Sequence, residues 1–147
     1  MTLKKQLELH EGRKNKIYKC TAGKRSIGVG HNIDAKGLPD DIEAFLDDNG
    51  YITDEMIDRL LDDDIADASA DVKRLYPMSY SFSEARRFAL VDFLFNVGIT
   101  TARTFTNTNK AINEERWDDA ANGLLASKYA RQVGKRAQTI ARMLREG

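Results

Sequence analysis

The strongest constraint on how this chain can fold is the apolar spacing that begins after Thr53. Ile57, Leu60, Leu61, Ile65, Ala68, Val72 and Leu75 recur at intervals of three and four residues, which places them on one stripe of a helix and on no single face of a strand. Thr53 supplies an N-cap, Asp54 and Glu55 an acidic first turn, and Pro77 a stop. The spacing predicts one helix over about 53–75, long enough to link two lobes. With 147 residues, the chain is expected to be a single domain, 1–147, with lobes roughly 1–60 and 61–147.

Most of the remainder also reads as helix. Leu3 and Leu7 mark a short helix capped by Thr2 and stopped by Gly12, so Glu11 falls at a helix end. A segment from Asp41 to Leu46 ends near Asn49-Gly50. From the cap Ser83, the run through Phe88, Leu90, Val91, Leu94, Phe95 and Val97 to Gly98 is apolar on most sides, as a core helix must be. Three shorter helices are expected at Phe105–Ile112, Trp117–Ala126 and Val133–Leu144. Apolar residues make up 41% of the chain and charged residues 31%, enough to build a core and too apolar for a disordered chain.

One region departs from the helical pattern. Ile17-Tyr18-Lys19-Cys20 and Ser26-Ile27-Gly28-Val29-Gly30-His31 flank the turn Thr21-Ala22-Gly23-Lys24, a hairpin signal. Gly28 and Gly30 alternate with Ile27 and Val29, so one side of that strand lacks side chains. Two readings are open: a ligand approaches the backbone there, or a neighbouring loop covers it.

Lys plus Arg and Asp plus Glu are equal at 23 each, but they lie in blocks. Residues 1–36 carry nine basic and three acidic groups, residues 37–71 one and thirteen, and residues 72–147 thirteen and seven. Basic outer thirds around an acidic middle suit either an anionic polymer held across one face or plain solvated helix faces. Nucleic acid is not expected, because no binding motif or basic stripe with interleaved aromatics is present. A single Cys excludes an internal disulfide. With no long apolar run and no signal-peptide pattern, the chain is expected to be soluble and made in the cytoplasm.

Glu11, Cys20 and Ser26 lie on a helix end and on the two hairpin strands, so they can converge on one wall. A carboxyl, a thiol and a hydroxyl in so short a stretch are also common by chance. Cys20 with His10 and His31 lacks zinc-ligand spacing, and no metal is expected. No phosphate-binding glycine loop or nucleophile elbow appears, and no cofactor is expected.

These residues carry a resemblance. Glu11-Gly12, Ile17-Tyr18-Lys19 and Ile27-Gly28-Val29-Gly30-His31 resemble the phage-type lysozymes (glycoside hydrolase family 24), the T-even bacteriophage endolysins among them. The likeness continues through Ile52-Thr53, Asp64-Ile65, Arg86-Arg87, Ala89-Leu90, Phe95-Asn96-Val97-Gly98, Phe105-Thr106-Asn107, Arg116-Trp117-Asp118, Ala120-Ala121 and Arg136-Ala137. It covers essentially the whole chain, and a Glu, then a Cys after eight residues, then a Ser after five more is a specific pattern.

The resemblance implies an α+β, mainly α, lysozyme-like fold: a small N-terminal lobe with a β-hairpin, a long helix, and a helical C-terminal lobe. It implies cleavage of the β-1,4 bond between N-acetylmuramic acid and N-acetylglucosamine in bacterial peptidoglycan, in a cleft between the lobes. Glu11 then matches the general acid, Cys20 stands where most members have Asp, and Ser26 stands where Thr is usual. Arg136 matches a cationic partner of the Glu. Such a cation favours the carboxylate, so an acid role requires burial or desolvation to raise the pKa again. A thiol at position 20 is mostly protonated at neutral pH from its unperturbed pKa of ~8.5, although Lys19, Lys24 and Arg25 favour thiolate.

His31 and Asp64 match a structural pair. Asn32, Gly30, Phe95 and Thr108 fall at saccharide-contact positions, and plain core packing is the alternative for Phe95. An inverting muramidase is expected, monomeric, held in the host cytoplasm until a holin-type protein opens the inner membrane. The alternatives are a lytic transglycosylase giving 1,6-anhydro products, a non-catalytic wall-binding relative, and a tail-associated lysozyme.

Overall fold

The long helix predicted from the spacing is present in the computed structural model as a 22-residue element, Asp54–Leu75, with residues 2–20 and 23–147 of the chain described. The Thr53 hydroxyl accepts the Met56 N–H at 3.2 Å, a cap worth about 1 kcal/mol. Ile57, Leu60, Leu61, Ala68 and Val72 are buried along its stripe. So is Asp64, a carboxylate at a core position, which therefore has to be paired.

In chain order the elements are α1 (Leu3–Glu11), β1 (Lys14–Lys19), β2 (Arg25–Gly28), β3 (His31–Asn32), α2 (Ile33–Lys36), α3 (Asp40–Asn49), α4 (Asp54–Leu75), α5 (Glu84–Ala102), α6 (Thr106–Asn113), α7 (Trp117–Leu125), α8 (Lys128–Val133) and α9 (Lys135–Glu146), with a 3-10 turn at Ser79–Ser81. The fold is α+β and mainly α. The chain divides into two compact units, Met1–Asp64 and Ile65–Gly147, so α4 contributes residues to both. No helix among the described residues is long and apolar enough to cross a membrane.

In the first unit, Thr2 caps α1 by accepting the Lys5 N–H, and Gly12, at φ 78°, ends it. The core of this unit includes Leu7, Ile27, Val29, Ile42, Ile52 and Ile57. The antiparallel sheet has the order β1-β2-β3. β1 starts at Lys14, three residues before the first apolar position that signals it; its residues are almost all exposed, so an edge strand here leaves little hydrophobic pattern to read. The turn expected at Thr21-Ala22-Gly23-Lys24 lies partly outside the described residues at Thr21 and Ala22; on either side of it the Cys20 N–H donates to the Lys24 carbonyl, 2.9 Å, and the Gly23 N–H to the Cys20 carbonyl, 2.8 Å.

The stretch expected as one strand from Ser26 to His31 is two strands joined by a tight turn. Gly28 and Gly30 both have positive φ, 66° and 65°, a conformation that ends an extended run and that glycine tolerates. The chain folds back so that Ser26 pairs with Asn32 and Ile27 with His31. The glycine sides are not open. A methyl on Gly28 would contact the Ile57 side chain at 3.4 Å, and one on Gly30 would collide with Glu11.

In the second unit, Ser83 caps α5 through the Arg86 N–H. Ala89 to Leu94 are all buried, which makes α5 the central helix of this unit. Gly98 (φ 78°, ψ 160°) interrupts it, and helix resumes to Ala102 rather than ending there. The core is completed by Ile112, Leu124, Tyr129, Ile140 and Leu144 from the helices that follow. Phe93 meets Phe105 and Tyr129 edge to face, with centroids 5.1 and 5.3 Å apart. Two short helices were not expected: α2, four residues with none buried, and α8, six residues with Tyr129 alone buried. Neither is long enough to show a helical period.

Candidate functional site

Glu11 is the last residue of α1, and its carboxyl group packs onto the β2–β3 turn. A methyl placed on the Cα of Gly30 would lie 2.0 Å from Glu11 Oε2, 2.7 Å from Cδ and 2.9 Å from Cγ. The backbone of Gly30 is thus the floor beneath the Glu11 carboxylate. Glycine is needed there twice over, for its positive φ and for the missing side chain.

The sheet register assembles the other residues of this unit. Tyr18 pairs with Ser26, and Ser26 with Asn32, across the three strands. Directly paired residues project from the same face with Cβ atoms ~4.5–5.5 Å apart, so Tyr18, Ser26 and Asn32 form one row. Ser26 is 4% exposed, and Cys20, two residues beyond Tyr18, is half-buried. Burial and the charge of Glu11 hold the Tyr18 phenol above its usual value; the Gly30 backbone amide pulls it down, and Cys20 adds to the rise. Glu11, Gly30 and Cys20 therefore all act on the Tyr18 hydroxyl. Of the expected site residues, Glu11, Cys20, Ser26, Gly30 and Asn32 share this neighbourhood.

Asn32 has a second task. Its side-chain oxygen caps α2 by accepting the Ala35 N–H at 3.0 Å. That fixes its carbonyl and leaves its amide NH2 outside the cap.

His31 and Asp64 lie on the buried side of this unit. His31 Nδ1 is 2.7 Å from Asp64 Oδ2, Nε2 is 2.7 Å from the Gly37 carbonyl, and Lys36 Nζ donates to Asp64 Oδ1 at 3.0 Å. Burial disfavours the imidazolium, yet the hydrogen bonds to Asp64 and Gly37 and the Asp64 charge outweigh it, so the His31 pKa is raised. Both ring nitrogens facing acceptors fits a doubly protonated ring tying β3 to α4.

The remaining expected residues belong to the second unit. Arg136, on α9, is buried and donates from Nε to Asp92 Oδ1 at 2.8 Å, with Nη2 2.7 Å from the same oxygen. Asp92 is fully buried in α5 and was not foreseen. Phe95 and Asn96 are half-buried shortly before the break at Gly98. Thr108, expected at the saccharide, is instead interior: 6% exposed, it lines an apolar recess with Leu90, Phe93, Ile112 and Leu124, and a methyl on Gly123 would lie 2.6 Å from its Oγ1. Its position on α6 facing Gly123 of α7 accounts for this. Among the described residues, no group of three His, Cys, Asp or Glu side chains is arranged to hold a metal ion.

Tyr18 is the residue of this site that sequence reasoning passed over. The exposed strand β1 has no hydrophobic period to mark it, and only its register opposite Ser26 does.

The family model described as phage lysozyme matches residues 8–145. Two Dictyostelium discoideum proteins named probable T4-type lysozyme 1 and 2 are 24% and 26% identical, each match covering 99% of this chain and 95% of the relative. The pre-baseplate central spike protein Gp5 of Enterobacteria phage T4 is 26% identical across 100% of this chain, which corresponds to 28% of its own length.

Proposed function

The chain belongs to the phage lysozyme family and is a glycoside hydrolase of the lysozyme type, and from that premise we propose that it hydrolyses the β-1,4 bond between N-acetylmuramic acid and N-acetylglucosamine of bacterial peptidoglycan with Glu11 as general acid. The observation that carries this reading is the seating of the Glu11 carboxyl on the Gly30 backbone, beside the row of Tyr18 and Ser26.

In this reading, protonated Glu11 gives its proton to the glycosidic oxygen as the bond breaks toward an oxocarbenium-like state. Water enters from the opposite face of the sugar. Cys20 supports that water as a weak base or oriented polar group, and the Ser26 hydroxyl, held in the sheet by its pairings with Tyr18 and Asn32, hydrogen-bonds to it. The proton lost by the water passes to Cys20 where it acts as base, or to solvent, and Glu11 takes a proton from solvent before the next turnover. The amide of Asn32 and the Gly30 backbone contact the saccharide. Arg136 is a supporting residue, fixed by Asp92. His31 and Asp64 hold β3 in place. The biological role in this reading is host cell lysis, with the enzyme reaching the wall from the cytoplasm after a holin-type protein has opened the inner membrane; this part rests on family kinship alone.

A thiol in place of the usual carboxylate makes intramolecular attack by the sugar's own hydroxyl the competing reaction. Mass spectrometry of fragments released from purified Gram-negative peptidoglycan separates the two. Reducing N-acetylmuramic acid ends are expected; 1,6-anhydro ends would replace hydrolysis with transglycosylation, and no fragments would leave a wall-binding relative.

A further inference from the structure

Both halves of the seat that holds the Glu11 carboxyl are anchored on one turn of α4. The β2–β3 turn, whose Gly30 floors the carboxyl, rests there through Gly28, where a methyl would meet the Ile57 side chain at 3.4 Å. The other half is the end of α1, and it reaches the same turn of α4 through Arg13. Arg13 Nη1 donates to Asp58 Oδ1 at 2.8 Å and to Glu8 Oε1 at 3.1 Å. Nη2 donates to the Asp54 carbonyl at 3.2 Å, with Asp54 Oδ1 at 3.7 Å. One guanidinium thus joins α1, a turn before Glu11, to α4 on both sides of Ile57. Its side chain is 29% exposed and meets acceptors on two helices, a network rather than the single exposed pair whose contribution is usually small. Gly12 stands between Glu11 and Arg13, at φ 78° with its N–H on the Glu8 carbonyl at 2.8 Å, and with open space where a side chain would be. Glycine restrains the chain little at that joint, so the direction of the helix end depends on what anchors the residues around it.

We propose that Arg13 is a positioning residue for Glu11: it docks the end of α1 onto the turn of α4 that also carries Gly28, and so sets how the Glu11 carboxyl meets the Gly30 backbone. The inference rests on the muramidase reading and adds a residue to it; Arg13 acts through Glu11 and takes no part in the proton transfer. A nine-residue helix ends at Glu11, and a helix that short depends on tertiary contacts to hold its last turn. Arg13 supplies them, gripping Glu8 before the catalytic residue and α4 beside it. The arrangement calls for the planar fork of a guanidinium, since Nη1 serves Glu8 and Asp58 while Nη2 serves the Asp54 carbonyl. An ammonium on a flexible stem reproduces this only in part. Misplacing a reacting group by about 1 Å costs about a hundredfold in rate, which sets the scale of the effect.

The test measures Arg13→Gln, Arg13→Lys and Asp58→Asn, each in the wild-type and in the Glu11→Gln background, on soluble peptidoglycan fragments, with kcat and KM separated and unfolding midpoints recorded. Arg13→Gln removes the charge and the fork. In the wild-type background it is expected to lower kcat by about tenfold to a hundredfold with KM changed by less than about twofold, and to lower the midpoint by less than about 4 °C. Arg13→Lys is expected to recover part of the loss. In the Glu11→Gln background, Arg13→Gln is expected to change the residual rate by less than about twofold, because no acid is left to position. A wild-type kcat in Arg13→Gln overturns the proposal. So does the same fold-loss in both backgrounds, which is what a merely structural role produces. If Arg13→Gln does not fold, Asp58→Asn carries the comparison, since it leaves Arg13 in place and removes the charge facing it. A kcat loss of about threefold or more that vanishes in the Glu11→Gln background supports the role, and an unchanged kcat overturns it. A wild type that releases no fragments, or a fully active Glu11→Gln, brings down the muramidase reading itself and the role of Arg13 with it. An active wild type, an inactive Glu11→Gln and an unchanged Arg13→Gln overturn the Arg13 role alone.

Discussion

Glu11 and Gly30 compete for the same space: a single methyl on the glycine would stand 2.0 Å from the Glu11 Oε2. Gly30→Ala therefore acts twice. It places an L side chain at φ 65°, which costs about 1–2 kcal/mol, and it displaces the carboxyl. The expected enzyme remains folded and loses activity by about a hundredfold or more. A lytic assay beside a thermal melt checks this, and an active Gly30→Ala would show that the carboxyl does not work from the seat described.

The His31–Asp64 pair links stability to pH with a definite sign. Because the folded-state pKa of His31 is raised, its stabilisation is complete below the unfolded value of about 6.5 and is lost as pH rises through the folded value. His31→Asn is expected to destabilise by about 3 kcal/mol at low pH, and by less in alkali. Urea denaturation at pH 5.5 and 9.5, both choices set by that linkage, measures the difference. An equal penalty at the two pH values contradicts the assignment of a charged ring.

Asp92 and Arg136 form the buried ion pair of the second unit, with side chains 0% and 7% exposed. Breaking such a pair from one side leaves an uncompensated charge, so Asp92→Asn is expected to lose about 3–5 kcal/mol. Equilibrium denaturation reads this directly. A loss below about 1 kcal/mol would place the pair with surface ion pairs in effect.

Cys20 is expected to support the attacking water rather than to hold structure, since it is half-buried just beyond the end of β1. Cys20→Ala should lower the rate on purified wall by about tenfold or more, and Cys20→Asp should match or exceed the wild type. A Cys20→Ala rate within about twofold of wild type removes Cys20 from the proposed machinery.

The legible parts of the fold were those where burial imposes a period. The stripe of α4 and the caps Thr2, Thr53 and Ser83 all appear where the spacing puts them. What escaped was too short or too exposed to carry a pattern: β1 before Ile17, α2, α8, and the turn at Val29-Gly30, whose glycines read as strand alternation until their positive φ is seen. The same limit governs the site. Glu11 could be placed at a helix end and Ser26 on a strand, but pairing across strands depends on register, which alone puts Tyr18 in their row. Arg136 was singled out without Asp92, because residues 44 apart reveal contact only once α5 and α9 are packed. Thr108 was placed at the substrate by likeness of position, and its burial against Gly123 depends on how α6 meets α7.

The central claim is that Glu11 performs the acid chemistry. The direct measurement is the rate of peptidoglycan fragment release by Glu11→Gln against the wild type, with both unfolding midpoints recorded. A general acid contributes ~10²–10⁴-fold, so the account predicts a loss in that range with the midpoint unchanged within about 2 °C. A Glu11→Gln protein that keeps about a tenth or more of the wild-type rate would contradict it.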